Sequence, residues 1–256
     1  MKTITFVSYK GGAGKSVLAA NVATYLALKN EKTALLDLDF RGPSLFSLFN
    51  ISKDPWLNTY FLENEMKGSL PLHQIRLVPR EEELSVGVTK IDPNIEEVLL
   101  NKKKVRDFLR KGLSLSQSLK KAKYDYCFID NTAGINLPAL NAIVMADVLA
   151  IVARPNFFEI EGLLFVLEQI YARLRDRRTK LCLVINQVPK YSVETFIQKV
   201  EDKVEELGFL SKTIYIPCHC TIPTDATRDL YPLVHPGDPF TQDIIRLADL
   251  VEEIAS

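Results

Sequence analysis

The chain has no net charge: 32 lysines and arginines cancel 32 aspartates and glutamates over 256 residues. It therefore lacks the overall field that draws a protein to nucleic acid or to an anionic membrane surface. No apolar run approaches the length of a membrane helix, and no leader precedes the first strand-like segment, so neither membrane insertion nor secretion is expected. Cysteine is scarce. The four present (Cys127, Cys182, Cys218 and Cys220) lack the spacing of a disulfide framework. Cys127 and Cys182 fall inside apolar strand-like runs as candidate core, and a reducing, cytoplasmic setting fits. Internal repeats and low-complexity linkers are missing too. What remains is an ordinary globular composition, 47% hydrophobic and 25% charged, in a length that one α/β domain accommodates.

Short apolar runs alternate with helical patterns. Strands are expected at 3–8, 33–37, 148–152, 181–186 and 212–217, and helices at 16–29, 134–145, 158–176, 192–206 and 240–254. Strands flanked in this way imply a mostly parallel central sheet with right-handed crossovers and helices on both faces, a three-layer α/β/α sandwich. The less regular stretch 51–123 reads as an elaboration of the same 1–256 domain. Its expected elements are strands near 75–78 and 84–88 and helices near 94–110 and 113–122.

The chemistry centres on Ser8-Tyr9-Lys10-Gly11-Gly12-Ala13-Gly14-Lys15-Ser16. It follows an apolar strand and opens a helix at Val17, the context that a phosphate cradle needs. Its glycines admit φ > 0 and leave no Cβ between backbone N–H groups and an anion. Lys15 then supplies a point charge to the β/γ-phosphates and Ser16 a hydroxyl ligand to Mg²⁺. Six fixed positions match by chance in such a chain only on the order of once in ten thousand. Tyr9 stands where the general P-loop has glycine.

Two more acidic strand ends belong with it. Leu35-Leu36-Asp37-Leu38-Asp39 places two carboxylates just past a strand's C-terminal end, where open α/β sheets bind ligands and where Mg²⁺ is the natural counter-charge. Tyr126-Cys127-Phe128-Ile129-Asp130 ends in an acid followed by Asn131-Thr132-Ala133-Gly134. That is a metal-shell aspartate with a mobile glycine N–H four residues on.

Lys10-Gly11-Gly12-Ala13-Gly14-Lys15-Ser16 resembles the deviant Walker A loop, KGGxGKS/T, of the MinD/ParA (SIMIBI-class) ATPases. The resemblance covers the first strand through Asp39 and residues 124 to about 217, and it implies a P-loop NTPase fold. It further implies an ATP- and Mg²⁺-dependent switch that hydrolyses ATP slowly as a homodimer sandwiching the nucleotide, with a regulatory protein partner. On it, Lys10 crosses the dimer interface to the partner's phosphates, Asp39 orients the hydrolytic water, and Asp37 and Asp130 hold the metal's water shell. Gly11, Gly12, Ala13, Gly14, Lys15, Ser16 and Val17 carry the nucleotide, Asn186 bonds the adenine, and Pro217 walls it. Asn186-Gln187-Val188-Pro189 lacks the acid that reads guanine, which favours ATP over GTP.

Other features leave alternatives open. Gly42-Pro43-Ser44 resembles the iron–sulfur carrier (Mrp-type) branch. With Cys218-His219-Cys220 it supports a metal- or cluster-handling ATPase, including the nickel-insertion kind. A biosynthetic P-loop ligase is a further alternative. Nine basic residues (Lys102, Lys103, Lys104, Arg106, Arg110, Lys111, Lys120, Lys121 and Lys123), with the Arg173–Lys180 run, offer nonspecific DNA contact or merely solvated helix faces. The C-terminal helix has an acidic polar face, Asp243, Asp249, Glu252 and Glu253 against Arg246 alone, and is expected to pack on the sheet rather than bind a membrane.

Overall fold

Runs of four to nine residues, most of them aliphatic and β-branched, are too short to bury themselves as helices and pair instead into one sheet. A computed structural model of the chain describes residues 1–62, 70–92, 101–134, 136–171, 179–189, 194–208, 211–219 and 229–256. The strands are β1 (Lys2–Val7), β2 (Thr33–Leu38), β3 (His73–Arg76), β4 (Glu83–Gly87), β5 (Tyr126–Asn131), β6 (Val148–Ala153), β7 (Lys180–Val188) and β8 (Ser211–Pro217). Their order across the sheet is β3-β4-β2-β5-β1-β6-β7-β8. Every pairing is parallel except β3 with β4, an antiparallel hairpin at one edge. β2 and β6 are buried at every position, as strands covered on both faces must be.

One face is covered by the Lys15–Leu28 helix and the Pro239–Ala255 helix, whose Leu18, Val22, Leu26, Ile244, Leu247 and Val251 share a core with Ile4, Phe6 and Phe128. The other face carries Leu137–Met145, Phe157–Val166 and Glu194–Glu206 over β6 and β7. Beside them, Leu57–Leu62 and Lys102–Lys121 lie over β2 and β5, centred on Phe61 and Phe108, whose rings stack at 4.2 Å. The C-terminal helix packs inward as its pattern implied, and Glu252 takes a 2.7 Å ion pair from Lys29. Asp243, assigned by its spacing to the polar face, is instead buried. Cys127 and Cys182 are free and buried, and burial pushes both thiols up to about 12.

The sequence pattern and the structure part in the elaboration. Lys102–Lys121 is one helix where two were expected on either side of residues 111–112. Glycine inside a helix costs about 1 kcal/mol relative to alanine, which argues for a break. Tertiary packing reverses that, since a Cβ at Gly112 would stand 2.7 Å from Met145 Sδ; the glycine lets two helices close together. The expected helix 158–176 is α-helical over Phe157–Val166 and widens to a π turn over Leu167–Tyr171; residues 172–178 lie outside the described residues. So do 93–100, where the start of the 94–110 helix was expected. Among the described residues, no helix is long and apolar enough to cross a membrane.

Phe128 lies at the centre of this core, fully buried 6.3 Å from the ring of Phe6. Phe128→Ala should cost about 3–5 kcal/mol in urea unfolding. Leu113→Ala, on the exposed side of the long helix, should stay within about 0.5 kcal/mol. Similar losses from both would contradict this placement of the core.

Candidate functional site

All the singled-out strand ends lie on one edge of the sheet, because parallel strands deliver their C-termini to the same side. β1 lies between β5 and β6, so the glycine loop that leaves β1 at Ser8 is flanked by loops from both neighbours. Ser8 Oγ donates to the Lys10 carbonyl at 2.7 Å and folds the start of the loop back on itself. Gly14 ends the loop as N-cap of the Lys15–Leu28 helix at φ 96°, where its carbonyl accepts from Leu18 N. A Cβ there would meet Asn186 Nδ2 at 2.4 Å, so glycine is required twice over, by backbone and by neighbour. Lys15 is buried at the first helical turn and makes no hydrogen bond or ion pair with the described residues. A lysine at a helix N-terminus that makes no direct ion pair, with only the through-space charge of Asp130 acting on it, is a cation arranged for an anion.

The two metal-shell candidates meet through strand register: Asp37 of β2 pairs with Asp130 of β5. Both are fully buried, and they are provided for differently. Asp37 accepts from the backbone N–H groups of Asp39 (2.9 Å), Ser44 (3.1 Å) and Leu45 (3.1 Å), which ties the loop after β2 to the strand. Burial, and then the charge of Asp130, hold its carboxyl well above the usual range. Neither carboxylate oxygen of Asp130 completes a hydrogen bond with the described residues. Burial raises its pKa to about 6, against the opposing pull of Lys15 and the Ser16 hydroxyl. Unpartnered buried oxygens beside a hydroxyl are what a hydrated divalent cation satisfies, so this donor set fits Mg²⁺. A cavity of about 470 Å³ opens here between the loop (Gly12, Gly14, Lys15, Ser16) and Pro43, Ser44 and Ser47.

Asp39 adjoins this pair, and its charge pushes both carboxyls further up. Its Oδ1 accepts from Gly42 N (2.9 Å), from Arg41 N (3.2 Å) and from the Thr132 hydroxyl (3.0 Å), which joins the loop after β2 to the loop after β5. Gly134, at φ 83°, donates its N–H to the Ser8 carbonyl at 2.9 Å rather than leaving it free.

On the far side of the loop, Gly14, Val17, Leu18, Asn186, Gln187, Pro217, Cys218, His219, Tyr231 and Phe240 enclose a cavity of about 290 Å³. Asn186 and Pro217 therefore line one pocket beside the helix N-terminus. Asn186 is not a free reader of that pocket, because its Nδ2 donates to the Ala13 carbonyl at 2.8 Å. Its Oδ1 accepts from Gln187 N at 2.9 Å. His219 packs edge-on to Phe240 and its Nε2 lies 2.7 Å from Asp243.

Lys10 is exposed and reaches sideways, its Nζ 5.3 Å from the ring centre of Phe158. Tyr9, in the place of the usual glycine, lays its ring on Gly162, where a Cβ would meet it at 2.1 Å. The sequence reading missed Arg154 and Glu159, which flank the loop from the end of β6. The available signal was an arginine directly after an apolar strand on the loop's own edge.

Other features do not gather here. Cys220 and the Arg173–Arg178 part of the second basic run lie outside the described residues. Among the described residues, no group of three or more His, Cys, Asp or Glu is placed to hold a metal. Two residues of the first basic run have intramolecular roles: Lys111 donates to the Phe61 carbonyl at 2.9 Å, and Arg110 lies 3.4 Å from Asp107. The Gly42-Pro43-Ser44 turn is accounted for by its N–H groups on Asp39 and Asp37.

Residues 1–183 match a family model described as an AAA domain. The chromosome-partitioning ATPase Soj of Treponema pallidum is 27% identical over 213 residues, covering 74% of this chain and 78% of that protein. The septum site-determining protein MinD of Pyrococcus horikoshii, solved with Mg-ADP, superposes with a TM-score of 0.74 at 20% identity, covering 100% of this chain and 97% of that one. MinD in the MinC:MinD cell division complex of Aquifex aeolicus gives 0.70 at 22% identity, covering 99% and 96%. At these identities the two structural likenesses speak to the fold, that of a P-loop NTPase.

The Gly14–Asn186 contact yields a coupling test. Gly14→Ala should cost about 1–3 kcal/mol from the positive φ and the clash. Asn186→Ala should cost less in the Gly14→Ala background than in the parent, since the clash is then relieved. Additive losses in a denaturant double-mutant cycle would refute the contact.

Proposed function

The chain belongs to the AAA-domain family and within it to the MinD/ParA-like P-loop ATPases, and on that premise we propose that it is an ATP-dependent dimerising switch that hydrolyses ATP to ADP and phosphate. The observation that carries this reading is that Lys15, which makes no hydrogen bond or ion pair with the described residues, and Asp130, whose buried oxygens have no hydrogen-bond partner among them, sit on one side of a glycine loop. The pull of Lys15 only partly offsets the burial of Asp130, and Mg²⁺ with a triphosphate would supply the direct partner that each side chain lacks.

In this reading the loop from Gly11 to Val17 takes the phosphates, and Lys15 neutralises the β/γ side. Ser16, Asp37 and Asp130 hold the metal, the carboxylates through its water. Mg²⁺ bound there supplies charge neutralisation to the phosphates. The cavity beside Asn186 and Pro217 takes the base, and Asn186 also braces the loop through Ala13. Asp39 orients the attacking water once its bonds to the backbone and to Thr132 rearrange. Gly134 exchanges the Ser8 carbonyl for the terminal phosphate, and that exchange couples nucleotide state to the loop after β5.

Dimerisation draws on a different surface. Lys10 projects from the loop over Phe158, and Phe157, Phe158, Phe165 and Val144 form an exposed apolar set on the adjoining helices. Exposed aromatics beside a functional loop suit a protein interface. A second copy placed there would bring its own Lys10 to this chain's phosphates. The MinC bound to the Aquifex protein suggests a regulatory protein partner for this chain as well.

Two measurements test the reading. Lys15→Ala should abolish tight binding of a fluorescent ATP analogue at equilibrium; unchanged affinity would sink the nucleotide assignment. Asp39→Ala should bind ATP, release no phosphate above background, and sediment as a dimer with ATP and a monomer with ADP. Adding Lys10→Ala should keep binding and return the protein to monomer. A Lys10→Ala variant that dimerises like its parent removes the trans role of that lysine.

A further inference from the structure

A third cation stands beside the glycine loop, and it comes from neither the loop nor the acidic strand ends. Arg154 follows the last residue of β6, the strand next to β1. Its side chain is held by one buried carboxylate, Glu159, which is 2% exposed. Glu159 Oε2 accepts from Arg154 N at 2.8 Å, and Oε1 accepts from Nε at 2.6 Å and lies 2.5 Å from Nη2. Glu159 is fixed in turn, since its own N–H donates to the Asn156 side chain that caps the Phe157–Val166 helix. One edge of the guanidinium is thus fully engaged, which orients the other.

That other edge faces the phosphate loop. Nη1 makes no hydrogen bond with the described residues, and it would stand 3.9 Å from a Cβ built at Gly12. The side chain keeps 36% of its surface exposed, and its free edge lies on the side of Gly12 that carries no Cβ, where the loop turns to positive φ. Guanidinium is permanently charged and matches the geometry of phosphate oxygens.

We propose that Arg154, oriented by Glu159, contacts the terminal phosphate of ATP bound in the same subunit's loop and makes the site prefer a triphosphate over a diphosphate. The inference rests on the nucleotide reading above. The terminal phosphate is chosen because Gly12 lies on the strand side of the loop, three residues before Lys15, whose reach is to the β/γ side. On this placement the phosphates shared with ADP would lie toward the helix N-terminus, farther from Arg154. Arg154 is then a specificity residue and Glu159 a positioning residue.

The experiment compares equilibrium binding of Mg-ATPγS and Mg-ADP to the full chain. Arg154→Ala should weaken ATPγS roughly tenfold to a hundredfold, the loss expected of one charge-assisted hydrogen bond, and leave ADP within about twofold. Arg154→Lys retains a counter-charge for Glu159, which protects folding, but lacks the fork and should show the same selective loss. Glu159→Gln should lose ATPγS selectively to a smaller degree; a purely structural role would move both nucleotides together. Equal weakening of both ligands in Arg154→Lys, or no change in either, overturns the proposal. Lys15→Ala separates the two levels: if it too leaves ADP binding intact, the nucleotide reading fails; if it abolishes ADP binding while Arg154→Lys changes nothing, only the role of Arg154 fails.

Discussion

Two carboxylates facing each other across neighbouring parallel strands, both out of water, set the terms for the rest of the site. Asp37 and Asp130 are brought opposite by the register of β2 and β5, and like charges in a buried pair repel strongly. The fold treats them unequally. Asp37 receives three backbone N–H groups and becomes the anchor for the loop that carries Asp39. Asp130 is left open toward Lys15 and Ser16. The unequal treatment turns one acid into a structural brace and leaves the other as a group awaiting a cation.

Around that pair, the glycine loop is held from every side by contacts that need the whole sheet. Gly134 reaches it from β5 through Ser8, Asn186 from β7 through Ala13, and Arg154 from β6 at Gly12. Each is a side chain or backbone group at or just past the C-terminal end of a different strand. Loops positioned in this way can move as a set when one bond is exchanged for a phosphate, while the strands beneath stay rigid. The exposed Lys10 and the aromatics beside it are the part of this arrangement turned outward.

Much of this was legible in the residues. Glycines spaced around Lys10 and Lys15 have few structural uses other than an anion cradle, and acids closing apolar strand runs at Asp37 and Asp130 pointed to a metal. Alternation of short apolar runs with amphipathic ones was enough for the layered parallel sheet. The partner of each polar group was not legible. Asn186 looked like a base reader and is also a brace on Ala13; Gly112 looked like a helix break and is a close contact with Met145. Asp243 looked solvated and is buried beside His219. In each case a residue distant in the chain decided the outcome over local propensity.

Arg154 shows where the division falls. Its sequence position, after a strand and before a proline, marks only a strand end. The fork on Glu159 and the approach to Gly12 exist because β6 is registered beside β1 and a capped helix returns Glu159 to the strand's end. Sequence by itself determined the residue types, their local periodicity and the strained glycine positions, since these depend on backbone sterics and on neighbours within a few residues. Only the tertiary structure decided which carboxylate is satisfied and which is left open, and which cations flank the loop. Those outcomes depend on burial and on distances between strands far apart in the chain, and the energy of a buried charge is set by the few atoms that reach it.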